Sequence, residues 1–152
     1  MDIHQGMDST LALLQPQLQS QDHRPAIRLI KNYGALPLVE CQARQLNQVF
    51  NHLLSNAIDA VKSHTVRDPM IQVVTAAVDS VIEIRIIDNG VGIPQHIQPR
   101  IFDPFFTTKP VGQGTGLGLS VCHQIIVKGH NGQLTYDSRE NQGTQFVITL
   151  PV

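Results

Sequence analysis

The chain has 152 residues, of which 41% are hydrophobic and 15% charged, so it is expected to be one globular domain with a full core. A net charge of -1 and a pI near 6.6 give no sequence-wide field for nucleic acid or an anionic membrane, so neither is an expected partner. No apolar run reaches membrane-spanning length and MDIHQGMDST has no signal-peptide pattern; Cys41 and Cys122 both lie in apolar surroundings and are expected in the core, which suits a reducing cytoplasm.

The predicted elements follow in chain order. Leu11, Leu13, Leu14 and Leu18 have partly helical spacing, which predicts an entry helix within 2–20, capped by Asp8 or Ser9 and broken by Pro16. A Gln-rich loop comes next, followed by strands at 26–32 and 36–41 with Gly34 and Pro37 between them, read as a hairpin at a sheet edge. The clearest helix is 42–63, where Leu46, Val49, Phe50, Leu53, Leu54, Ala57, Ile58 and Val61 form one apolar stripe. Beside that stripe, His52, Asn56 and Asp59 share a side at i, i+4 and i+7. These are short donors and acceptors where a solvated face would carry Lys and Glu, and they suit a site that orients groups and holds a metal.

Strands at 70–78 and 80–88 are expected to form a hairpin, and the second of them ends at Asp88-Asn89-Gly90, where the glycine permits positive φ and turns the chain. Asp88 then faces a cavity at a strand end, and Gly92 lets a flat ligand approach the backbone. Its carboxylate could accept from an amino group such as the one adenine presents. Residues 93–113 show little periodicity yet hold Phe102, Phe105 and Phe106, three of the five phenylalanines, so they read as a lid instead of a disordered linker.

Gly112, Gly114, Gly116 and Gly118 alternate into an apolar helix containing Val121, Cys122, Ile125 and Ile126, and amides at a helix start bind phosphate. The cluster lacks the Gly-Lys-Ser/Thr of a Walker A loop and the preceding strand of a dinucleotide fingerprint. Gly129 ends the helix beside Asn131-Gly132, and strands at 133–138 and 143–150 complete a mixed sheet flanked by helices.

Four motifs in order, QLNQVFNHLLSNAIDAV, DNGVGIP, IFDPFFTTK and GQGTGLGLS, resemble the N, first glycine, F and second glycine boxes of sensor histidine kinase ATP-binding catalytic domains, within the gyrase, heat-shock-ninety, kinase and mismatch-repair ATPase superfamily. The resemblance covers nearly all of residues 1–152 and implies a Bergerat fold: a two-layer α/β sandwich with a mixed β-sheet packed on one side by helices, and a long ATP lid. It implies that Asp88 binds the adenine amino group, that Gly90 and Gly92 shape that pocket, and that Asn56 coordinates Mg2+ beside the phosphates. Asp59 is counted with the nucleotide-binding residues. The same resemblance puts Gly114, Thr115, Gly116, Leu117, Gly118 and Leu119 along the phosphates, Lys109 with Arg100 as lid cations, and Thr144 in the adenine environment. Phe105 and Phe106 would dock the lid or grip a partner domain.

The N box departs from the family pattern, because His52 stands where these kinases usually carry Asn. A neutral imidazole could position the attacking group or act as a weak base, so His52 joins Asn56 and Lys109 as catalytic candidates. His4, followed by Gln5 and Gly6, does not fit a phosphoacceptor context. The expected function is therefore transfer of the γ-phosphoryl of Mg-ATP to a histidine on a separate dimerisation domain of the same full-length kinase, upstream of a response regulator. The domain is expected to be monomeric, cytoplasmic, without direct membrane contact, and unable to phosphorylate itself. The alternatives are an ATP-hydrolysing or purely nucleotide-binding module of the same superfamily, and an anti-sigma-type serine kinase.

Overall fold

The computed structural model describes residues 1–20, 24–63, 65–106 and 118–152. Its elements are α1 (Ile3–Leu18), β1 (Arg28–Tyr33), α2 (Ala43–Val61), β2 (Met70–Val78), β3 (Val81–Asp88), a short 3-10 turn (Gln98–Arg100), α3 (Gly118–His130), β4 (Gln133–Arg139) and β5 (Gly143–Pro151). The five strands form one sheet in the order β1-β2-β3-β5-β4, with β1 parallel to β2 and every other pairing antiparallel. This is the mixed sheet of the expected α/β sandwich.

Residues alternate across the sheet. Ile71, Val73, Ile82, Ile84, Ile86, Phe146 and Ile148 turn inward to meet the α2 stripe of Leu46, Val49, Phe50, Leu53, Leu54, Ala57, Ile58 and Val61. α2 packs on β2, β3 and β5, α3 on β4 and β5, and α1 on α2 and β1. The opposite sheet face carries half-buried Gln72, Val74, Glu83, Arg85, Gln145 and Val147.

Several local expectations are corrected. α1 runs through Pro16 to Leu18, because a proline this close to the helix end removes only the amide that would bond the Ala12 carbonyl. Its cap is Asp2, which accepts from the amides of His4 and Gln5 at 3.0 and 3.2 Å, and not Asp8 or Ser9. Asp8 instead accepts from Lys31 Nζ at 2.9 Å and the Tyr33 hydroxyl at 2.8 Å, tying α1 to β1.

Residues 36–41 form no strand and there is no hairpin with β1. The Gly34 amide bonds the Thr75 carbonyl at 2.9 Å at the edge of β2, and the chain leaves the sheet there for α2. Val39 is buried by pairing with Met1 through bonds of 2.8 and 3.0 Å. Cys41 beside it is only half-buried, so of the two cysteines only Cys122 is a core residue; burial pushes its thiol up to about 12, and it is inert. α3 ends at His130, one residue past Gly129, and the left-handed residue that terminates it is Asn131 at φ 54°.

α2 starts without a side-chain cap of its own. His130, at the end of α3, supplies one: its Nε2 accepts the Gln42 amide at 3.0 Å, while Nδ1 lies 2.8 Å from the Ile125 carbonyl and donates to it. Replacing His130 with Ala is expected to cost about 1 kcal/mol, the usual cost of a lost helix-start acceptor. Thermal unfolding should show this as a drop of roughly 2–4 °C; an unchanged midpoint would mean the bond contributes nothing.

Candidate functional site

The site gathers where β3 ends. Asp88, Thr144 and Ser138 are register partners on β3, β5 and β4, so their side chains form a row on the inward face at one end of the sheet. Asp88 is 7% exposed and Thr144 6%. The Gly90 amide donates to Asp88 Oδ1 at 2.8 Å. Burial pushes the Asp88 carboxyl up to about 6, against the lowering effect of the Gly90 and Thr144 amides that donate to it. In its ionised form this carboxylate is a strong hydrogen-bond acceptor.

The glycines after Asp88 have separate jobs. Gly90 does not adopt the positive φ expected of it; its lack of a side chain is needed because a Cβ would meet the Ala60 backbone at 2.5 Å. That contact sets the end of β3 against α2 one turn past Asn56, and the Val91 amide bonds the Ala60 carbonyl at 3.1 Å. Gly92 supplies the left-handed turn, at φ 73°, and presses on the Arg139 carbonyl of the β4–β5 hairpin.

On α2, His52 and Asn56 are half-buried and Asp59 is exposed. Among the described residues Asn56 has no hydrogen-bond partner for its amide, whereas the His52 ring fills the space that a side chain on Gly118 would occupy. α2 thus meets the start of α3 at His52. Leu119 is half-buried in the first turn of α3. Lys109, Gly114, Thr115, Gly116 and Leu117 lie outside the described residues, as do residues 107–113 of the expected lid.

The first part of that lid, residues 93–106, is packed as part of the wall. Ile101 is buried, the Phe102 ring lies 5.0 Å from His123 on α3 and 5.9 Å from Tyr136 on β4, and the Arg100 guanidinium sits 4.9 Å over Phe106. Phe105 alone among these rings is 74% exposed, at φ 67°. Composition could not show this, because the anchors come from elements far away in sequence.

Two hollows flank the junction of β3 with this segment. One, of about 350 Å3, is lined by Ile93, Gln95, Gln98, Ser138, Arg139 and Glu140. The other, of about 480 Å3, lies between Val66, Asp68, Asn89, Gly90 and Asn141. Asp88 lines neither, so the open cavity expected in front of it is not one of these. Asn89, which the sequence set beside Asp88 in one motif, is structural: its amide oxygen accepts the Met70 amide at 2.8 Å and its nitrogen donates to the Asp68 carbonyl at 2.7 Å. Sequence reasoning missed Ser138 and Gln98. Ser138 stands in phase with inward-facing Leu134 and Tyr136, and that parity was the available signal.

Asp88 thus closes a strand under a glycine turn on the sheet face that α2 covers, and α2 carries Asn56, whose amide has no partner among the described residues, within an α/β sandwich. The chain belongs to the histidine kinase-, DNA gyrase B- and HSP90-like ATPase family, whose model matches residues 41–152, and it is an ATP-binding domain of that family. It is similar to the two-component sensor PprA of Pseudomonas aeruginosa, with 42% identity over 76% of this chain and 13% of that protein. It is also similar to sporulation kinase E of Bacillus subtilis, with 36% identity over 99% of this chain and 19% of that protein. The chain therefore spans less than a fifth of either relative. The nucleotide-free catalytic domain of histidine kinase ThkA superposes with a TM-score of 0.83 at 28% identity, covering 99% of this chain and 93% of that one. ThkA in complex with the response regulator TrrA matches with a TM-score of 0.77 at 26% identity, over 99% of this chain and 40% of that one. Among the described residues, no helix is long and apolar enough to cross a membrane.

Proposed function

We propose that residues 1–152 form the catalytic domain of a sensor histidine kinase, which binds Mg-ATP and delivers its γ-phosphoryl to a histidine on a separate dimerisation domain of the same kinase. A response regulator then receives the phosphoryl group. The observation that carries this reading is the buried Asp88 carboxyl, tied by the Gly90 amide and sitting in a row with Thr144 beside the Gly92 turn. In this reading Asp88 accepts from the adenine amino group, and Gly118 and Leu119, with Gly114, Thr115, Gly116, Leu117 and Lys109, surround the phosphates. The domain acts as a monomer in the cytoplasm, as part of a longer protein.

The residues fit magnesium. Asn56 offers a hard oxygen ligand, half-buried and without a partner among the described residues, and Asp59 lies on the same side of α2. When bound, the ion would neutralise phosphate charge and orient the transferred group. In this reading His52, whose ring packs against Gly118 at the start of α3, orients the reacting end of the nucleotide. Replacing Asn56 with Ala is expected to weaken Mg-ATP binding roughly tenfold, as loss of one charge-assisted contact does, while metal-free nucleotide binds as before. Calorimetric titration with and without magnesium measures both.

The activity itself is tested with labelled ATP, this chain and a histidine-bearing dimerisation domain. Acid-labile phosphate on the added domain and none on this chain is the expected result. Acid-stable product would instead support the serine kinase reading, and release of free phosphate without transfer would support an ATPase.

A further inference from the structure

The row of Asp88, Thr144 and Ser138 continues into the root of the lid. Ser138 Oγ accepts the Ile93 amide at 2.8 Å and lies 2.8 Å from Thr144 Oγ1 and 3.3 Å from the Gly143 carbonyl. Gln98 Nε2 donates to the Ile93 carbonyl at 2.9 Å and to the Ser138 carbonyl at 3.2 Å, and the Tyr136 hydroxyl donates to the Gln98 carbonyl at 3.3 Å. One hydroxyl on an edge strand thus touches both the residue beside Asp88 and the first residue of the lid.

We propose that Ser138 is a positioning residue for base recognition, its hydroxyl fixing the direction of the Thr144 hydroxyl while seating the lid root at Ile93. The inference rests on the reading of Asp88 as the adenine acceptor. A serine hydroxyl has one proton to give and two lone pairs. The Ile93 amide can only donate, so it occupies a lone pair, and the serine proton has Thr144 Oγ1 as its nearer acceptor and the Gly143 carbonyl as its farther one. With that proton directed at Thr144, the threonine proton is released to be given onward. Adenine presents a ring acceptor, N1, next to the amino donor that Asp88 takes. Hypoxanthine reverses both groups, with a donor at N1 and a carbonyl in place of the amine, so the same pair of side chains disfavours it. Removing the serine hydroxyl lets Thr144 turn either way and loosens Ile93, so the discrimination between the two bases falls.

The test is titration of this chain with Mg-ATP and with magnesium inosine triphosphate, for the parent and for Ser138→Ala and Ser138→Thr. Ser138→Ala is expected to bind ATP about five- to tenfold more weakly, the worth of one neutral hydrogen bond, and to bind inosine triphosphate unchanged. Ser138→Thr keeps the hydroxyl and should keep both affinities. If Ser138→Ala does not fold, Ser138→Cys, a weak donor and acceptor of similar volume, should show the same loss of base preference. Unchanged ATP affinity, or equal losses for the two nucleotides, overturns the proposal, since a purely structural serine would not alter the ratio. Asp88→Asn is titrated alongside: if it binds ATP as tightly as the parent, the adenine reading fails and this inference fails with it.

Discussion

Asp88→Asn is expected to lose ATP binding by roughly 10- to 100-fold, because a charge-assisted hydrogen bond in a buried site is replaced by a weaker neutral one. Its effect on the nucleotide-free protein should run the other way as pH rises. Folding lifts this carboxyl from 3.8 to about 6, chiefly by desolvation. The folded chain therefore holds the proton more tightly than the unfolded chain does. The resulting stability is fully present below about pH 4, is lost as pH rises through 6, and stays lost above it. Two units correspond to at most about 3 kcal/mol, and asparagine does not titrate. The stability of the variant relative to the parent should thus improve by about 2–3 kcal/mol between pH 4 and pH 8, as chemical denaturation would measure. ATP affinity of the parent should rise over the same interval, since the ionised form is the acceptor. A flat stability difference across that range would falsify the assignment of a raised carboxyl.

Gly92→Ala carries the second large effect. A non-glycine residue at φ 73° is strained, and the added Cβ would collide with the Arg139 carbonyl, a backbone atom that no rotamer change can move aside. Strain and overpacking together should cost roughly 3 kcal/mol, or about 10 °C in unfolding temperature. Binding should weaken as well, because the turn joins the end of β3 to the lid root. A variant that melts within two or three degrees of the parent would show that the hairpin can retreat and that this contact is loose.

Much of this was legible in the sequence, for identifiable reasons. α2 announced itself through eight apolar residues at helical spacing, and the β2–β3 pair through period-two alternation ending in Asp88. The four boxes carried the family because they combine packing residues, such as the α2 stripe and Gly90, with polar residues that packing alone does not call for, in a fixed order along the chain. Errors arose where a distant element decided a local outcome. Residues 36–41 have strand-like composition, but β1 pairs in parallel with β2, and a parallel partner needs a crossover, so the chain had to leave the sheet through α2. Gly90 looked like a turn glycine and is instead a point of close approach to Ala60. Ser138 carried no motif at all; only the cross-strand register brought it beside Thr144.

The β4–β5 hairpin tip bears on how this domain can change over evolutionary time. Exposed turns of this kind generally accept extra residues freely. Here the Asn141 amide bonds the Val91 carbonyl at 2.6 Å, Gly143 lies against the Asp88 carbonyl, and Arg139 lies against Gly92. Three successive grips fix the length of a surface loop from below, so lineages that lengthen it must move the end of β3 and the Gly92 turn in the same step.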